Sequence, residues 1–212
     1  MTNSGALRDL VVLVADTDTQ YALRGIISRA LSLGIETLDV TYRIHPRHDP
    51  GCLNKPEEIL RRYCDSHRYA LVVLDYDGCG RKKESPAEIA KEIEQLLDKN
   101  GWHERAAAIV IDPELEAWVW SDSLHVDEKL GWSDRRPEVR AWLQENTNVW
   151  PAGELKPKLP KEAMEKALFM ANKVRSAAIY EEIAKKVSFK RCTDPAFAKL
   201  KATLKRWFSE NQ

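Results

Sequence analysis

Apolar positions along this chain fall into two rhythms. Leu10 to Ala15 form an unbroken apolar run, rich in β-branched residues and closed by Asp16, Thr17 and Asp18, which is the pattern of a strand buried on both faces. In the following TQYALRGIISRALSLG, residues Tyr21, Leu23, Ile26, Ile27, Ala30 and Leu31 recur close to helical spacing, and Gly34 is placed to end that helix. IETLDVTYRI alternates loosely and reads as a second strand. HPRHDPGCLNKP reads as a loop, and PEEILRRYC opens a helix with Pro56 in its first turn.

YALVVLDYDGCG repeats the buried-strand pattern, with Leu71 to Leu74 apolar without alternation. SPAEIAKEIEQLLDKNG then supplies an N-capping Ser85, a first-turn proline, apolar Ile89, Ile93, Leu96 and Leu97, and a terminal glycine. RAAAIVIDPELEAW predicts a fourth strand that turns at Pro113. Strands alternating with helices predict an α/β fold of Rossmannoid type, a mostly parallel sheet with helices on both faces. After residue 121 the strand signal fades. PEVRAWLQEN looks helical, WPAGELKPKLPKEA is a proline-punctuated linker, and three amphipathic helices follow, with Ser176 and Asp194 as caps. The expected division is an α/β domain over residues 1–125 and a basic, mainly helical section over 126–212 packed on it.

Composition narrows the setting. Across 212 residues, 43% hydrophobic and 31% charged, no window approaches the roughly 18 consecutive apolar residues of a membrane span. The first ten residues lack a basic region followed by an apolar stretch, so a cytoplasmic protein without a membrane partner is expected. Cys52, Cys64, Cys79 and Cys192 show no paired spacing, as reduced thiols would. His45, His48 and Cys52 lack a standard structural-zinc spacing, and Cys64 and His67 follow as a C-x2-H pair; a polar loop is the better reading and a zinc site the alternative. The zero net charge hides an asymmetry: from Pro151 onward 14 Lys plus Arg face 7 Asp plus Glu, leaving the first 150 residues acidic by the same margin. The basic tail is available for phosphates or an acidic partner, or its lysines simply decorate solvated helix faces. The seven tryptophans lie among apolar neighbours and read as packing residues rather than base-stacking platforms.

In parallel sheets, functional residues gather at the carboxyl ends of the strands. Here that rule gives the acids one address. The first strand ends at Asp16 and Asp18, the third at Asp75 and Asp77, and the fourth at Asp112, Glu114 and Glu116. Mutual repulsion makes such a cluster costly unless a divalent cation or protons neutralise it.

Three constellations place an acid pair after a buried strand. DYDGCG resembles the Asp-x-Asp-Gly-Thr opening of haloacid-dehalogenase-type phosphatases, but stands on a third strand with no downstream GDxxxD. A phosphoacceptor receiver domain has a comparable order of acids, yet no strand here ends in the lysine it needs. The order VADTD, LDYDGCG, IDPELEAWVWSD is similar to that of the Toprim-like fold, found in topoisomerases, primases and nucleases of bacterial defence systems. Pro113, Glu116 and Trp118 in Pro-x-x-Glu-x-Trp, and the ending SAAIYEEIAKKVSFKRCTDPAFAKLKATLKRWF, resemble Toprim-like proteins of bacterial antiviral defence and mobile loci.

That resemblance implies a Mg²⁺-dependent (or Mn²⁺-dependent) nuclease or nucleic-acid-processing component of an antiphage defence system. Asp75, Asp77, Glu114 and Glu116 would hold metal, and Asp16, Asp18 and Glu116 would take catalytic roles. Arg81, Lys82, Lys83, Lys156, Lys158 and Lys161 would track nucleic acid. The alternative is a non-catalytic Toprim-like subunit docked on other proteins of a defence complex. No nucleotide-cofactor motif is present in the sequence. One departure matters: Toprim sites carry Glu-Gly after the first strand, and this chain offers Ala15-Asp16 or Asp16-Thr17, with an aspartate one methylene shorter than glutamate.

Overall fold

The computed structural model describes residues 6–209. Its centre is a four-stranded, wholly parallel sheet in the order β2-β1-β3-β4, formed by β1 (Arg8–Val14), β2 (Val40–Ile44), β3 (His67–Asp75) and β4 (Ala106–Ile111). The apolar runs are central because each must be covered twice. Leu10, Val12 and Val14 join one core cluster with Leu71, Val73, Ile109 and Ile111. The alternate residues Val11, Leu13, Val72, Leu74, Ala108 and Val110 face a second cluster on the other side.

Among the described residues eleven α-helices clothe the sheet. α1 (Thr17–Ile27) and α2 (Ala30–Leu33) follow β1, and α3 (His48–Asn54) and α4 (Pro56–Leu60) follow β2. α5 (Pro86–Leu97) links β3 to β4 and starts with a full capping box, in which Ser85 and Glu88 bond each other's backbone N–H. Beyond the sheet come α6 (Glu116–Val119), α7 (Leu124–Leu130), α8 (Val139–Asn146), α9 (Pro160–Met170), α10 (Ala177–Lys186) and α11 (Pro195–Phe208).

The carboxyl-terminal helices do not form a separate core. Ile179, Tyr180, Ile183, Leu200, Leu204 and Phe208 belong to the same cluster as Leu23 and Ile26 of α1. α10 lies directly on α1, where a Cβ on Gly25 would stand 2.6 Å from the Glu181 carbonyl oxygen and 2.8 Å from Ala184 Cβ. Glycine is what lets these two helices approach. Trp120, Trp132, Trp150 and Trp207 are buried here, as packing residues. The indole N–H of Trp120 donates to the Pro160 carbonyl (2.9 Å) and that of Trp132 to the Ala167 carbonyl (3.0 Å), so these two are buried with their donors satisfied.

Two local expectations are corrected. HPRHDPGCLNKP is not simply a loop, because His48–Asn54 closes into α3 and buries Gly51, Cys52 and Leu53 against the sheet. Asp194 caps α11 by accepting from the Phe197 N–H at 2.9 Å, whereas Ser176 precedes α10 without a side-chain capping bond.

Candidate functional site

The carboxyl edge of the sheet is where chain direction and side-chain chemistry meet. At the end of β1, Asp16 turns into α1 and accepts the Thr19 N–H at 2.8 Å. This fixes one of its oxygens at a helix N-terminus, where the backbone favours negative charge. β3 carries Asp75 as its last residue. Strand alternation sets it on the face of Leu71 and Val73, toward the α1 and α10 layer. Glu116 opens α6 after β4 and is only 2% exposed.

A fourth carboxylate completes the group, and sequence reasoning passed over it. Asp49, in the first turn of α3, accepts the backbone N–H of Asp75 at 2.8 Å. Its other oxygen lies against Gly78, where a Cβ would stand 2.3 Å away. The glycine of Asp-Tyr-Asp-Gly is therefore a seat for the Asp49 carboxylate. The neighbouring His48 donates its Nδ1–H to the Ala15 carbonyl at 2.9 Å, tying α3 to the end of β1. His48 holds a left-handed backbone (φ 49) to do so, a conformation unfavourable for a side-chain-bearing residue. In a segment whose sequence reads as a loop, Asp49 has no assigned face. The signal that could have found it was a carboxylate beside Pro50 at a potential helix start.

Burial and crowding act together on Asp75. Its Oδ1 is enclosed and has no hydrogen-bond partner. Burial pushes its carboxyl well above the usual range, and the nearby charges of Asp49, Glu116 and Asp16 push the same way, against a bond from the Leu115 N–H. Asp49 is raised as well, first by burial and also by Asp16, against its bond from the Asp75 N–H.

An arginine and a tyrosine from the carboxyl-terminal half close the other side. Arg175 Nη2 bonds Asp18 Oδ2 at 2.8 Å and Glu116 Oε1 at 2.9 Å, and the Tyr180 hydroxyl donates to the same Glu116 oxygen at 2.6 Å. Burial works against the Arg175 charge, but Tyr180, Asp18 and Glu116 outweigh it and raise its pKa. Tyr180 is raised by burial and by the Glu116 charge. Glu116 is thus a buried carboxylate whose charge is matched by a cation 59 residues away in sequence.

The strand-end acids accordingly divide. Asp16, Asp75 and Glu116 come together, joined by Asp49. Asp18 stands at the rim on Arg175. Asp77 is exposed on a short turn at Asp77–Cys79 and influences Asp112 instead, whose carboxyl is raised by burial, then by Asp77 and Asp194. Glu114 turns toward α9 and accepts the Lys161 N–H at 2.9 Å. Among the described residues, no three His, Cys, Asp or Glu side chains converge on one point that could hold a metal ion. Asp49 and Asp16 each spend an oxygen on a backbone N–H, and Glu116 is held by Arg175 and Tyr180.

The basic candidates divide too. Arg81 is bound to Glu84 (3.1 Å) and Glu92 (2.8 Å), stapling the loop to α5. Lys156 turns inward to the Ala117 carbonyl. Lys82, Lys83, Lys158 and Lys161 are exposed.

The sheet and its carboxylate edge define an α/β protein of Rossmann-like architecture with a helical cover. No protein-family model, curated protein or solved structure matches the chain. No helix among the described residues is long and apolar enough to cross a membrane.

Proposed function

We propose that the carboxylate edge is a divalent-cation site for phosphodiester chemistry on nucleic acid, of the Toprim-like kind found in bacterial antiphage defence. One observation carries this reading: Asp75 Oδ1 is buried without a partner in the company of Asp16, Asp49 and Glu116. An orphaned, buried carboxyl oxygen among three further carboxylates costs stability unless a proton or a cation meets it. The donor set is all oxygen and all carboxylate, the chemistry that Mg²⁺ or Mn²⁺ selects. The conformations described do not gather three donors on one point, so loading requires Asp75 or Asp49 to turn.

Asp75, Asp49 and Asp16 are the residues that would hold the cation, which when bound would polarise a phosphate oxygen. Asp16 stands where a Toprim site has its glutamate. Its oxygen not bonded to Thr19 is the one available for a ligand or proton role. Arg175 holds Glu116 and Asp18 in place, so Glu116 serves as a fixed negative wall rather than a mobile ligand. Lys82, Lys83, Lys158 and Lys161 are the exposed cations available to phosphates.

A second reading follows from Arg175 itself. By neutralising Glu116 and Asp18 internally, it does part of what a cation would do, as expected of a Toprim-like subunit that binds partners without cleaving. Incubating the purified protein with supercoiled plasmid, single-stranded DNA and RNA, with Mg²⁺ or Mn²⁺, separates the two. Metal-dependent cleavage abolished by Asp75→Ala supports the first. Absence of cleavage together with absence of Mg²⁺ or Mn²⁺ binding by calorimetry, in a protein that remains folded, leaves the second.

A further inference from the structure

A cavity of about 290 Å³ opens between α1, α6 and α10 and the segment that precedes α11. Its wall is apolar and aromatic. Ile26, Val119 and Ile183 are buried around it, and Trp118 and Phe189 both pack on Phe197, with ring centroids 5.4 and 5.3 Å apart. An apolar cavity of roughly 150 Å³ stays dry and holds a single benzene ring, so this one has room for two fused rings. Leu155, 82% exposed, stands at its mouth.

The polar groups of the wall are engaged elsewhere. The indole N–H of Trp118 donates to Asp194 Oδ1 and that of Trp120 to the Pro160 carbonyl, both at 2.9 Å. The Tyr180 hydroxyl is taken by Glu116 at 2.6 Å. Lys156 donates to the Ala117 carbonyl, Arg140 donates to the Glu154 carbonyl at 2.9 Å, and Asp122 is engaged at the exposed rim. Ser121 Oγ is closed off from the space. Burial pushes the Cys192 thiol up, so it stays an uncharged S–H at neutral pH. A charged or strongly hydrogen-bonding ligand would give up its water here without finding a new partner.

We propose that this cavity binds a neutral, flat apolar molecule of bicyclic aromatic size, seated against Trp118, Phe189 and Phe197. Those rings already meet edge-to-face and tilted, the arrangements aromatic pairs prefer, and an aromatic ligand extends them. The assignment goes beyond the cation reading and does not rest on it.

The test titrates the full chain with naphthalene, 1-naphthoate and 1-naphthylmethylammonium by calorimetry, in chelator-treated buffer that keeps any cation out of the readout. Naphthalene should bind at a single site with Kd below about 100 µM. Each charged analogue should bind at least about tenfold more weakly, because its charge is buried without a partner. Val187→Trp fills the cavity and should abolish naphthalene binding, with circular dichroism reporting that the fold persists. Leu155→Ala, at the exposed mouth, should weaken it by about 3 to 10 times. Phe169→Ala, which removes an equally exposed apolar side chain on α9 outside the cavity, should leave it unchanged. Should Val187→Trp fail to fold, the contrast between Leu155→Ala and Phe169→Ala decides. No binding up to the solubility limit of naphthalene, a charged analogue that binds as well as naphthalene, or binding that survives Val187→Trp in a folded protein would overturn the proposal. So would a loss on Phe169→Ala equal to that on Leu155→Ala, the mark of adsorption to exposed apolar side chains.

Discussion

Asp75→Asn isolates the electrostatic cost of the carboxylate edge. The substitution keeps the shape of the side chain and removes its charge, and the new amide N–H can donate to Asp49 or Glu116. In chelator-treated buffer the variant should be more stable than the parent. A buried polar group left without a partner costs about 1–3 kcal/mol, and Asp75 Oδ1 is such a group with Asp49, Glu116 and Asp16 around it. For a chain of this length each kcal/mol corresponds to roughly 2–4 °C in Tm. The pH dependence follows from the direction of the shift. A carboxyl whose folded pKa is raised binds its proton more tightly folded than unfolded, so it favours the fold most below the unfolded value, about 3.9. That favourable contribution is lost as pH rises through the raised folded pKa. The advantage of Asp75→Asn should therefore be smallest near pH 4 and widen toward pH 8, as read by urea denaturation at several pH values. Millimolar Mg²⁺ should then stabilise the parent by RT ln(1 + [Mg²⁺]/Kd), about 2.7 kcal/mol at a hundredfold excess over Kd, and leave the variant unmoved. A variant less stable than the parent at pH 8, or a difference that does not vary with pH, would refute the picture of an unpaired Asp75 whose carboxyl pKa is raised by burial and its acidic neighbours.

Three further outcomes are expected from other contacts. Arg175→Met strands the buried Glu116 and should cost about 3 kcal/mol, the low end for breaking a buried pair because Arg175 is 31% exposed; adding Glu116→Gln should restore much of it in a double-mutant cycle by chemical denaturation. Gly78→Ala drives a methyl into Asp49 Oδ2 and should destabilise by about 1–3 kcal/mol, a penalty that shrinks in combination with Asp49→Ala. Asp194→Ala removes both the cap of α11 and the acceptor of the Trp118 indole N–H (2.9 Å). It should lower stability by about 1–2 kcal/mol and alter tryptophan emission.

The sheet was legible in the chain because its determinants are local. Leu10 to Ala15, Leu71 to Leu74 and Ala106 to Ile111 are apolar without alternation, and only a strand covered on both faces accommodates that. Ser85 with Glu88, and Pro56, mark helix starts within a few residues of themselves. The carboxyl-edge rule brought Asp16, Asp75 and Glu116 to one edge without reference to any other contact. What the tertiary structure decided lies in pairs distant along the chain. Arg175 reaches Glu116 because α10 folds back over α1 at Gly25, and nothing near residue 175 announces that partner. Asp49 enters the site only once α3 has closed and Gly78 has made room for its carboxylate. Lys156 belongs to a basic-looking linker, but the Ala117 carbonyl and the cavity beside it turn the side chain inward. Periodicity and capping are written within one or two helical turns. The charge balance of a buried edge is set by which helices cover it, and that is a property of packing.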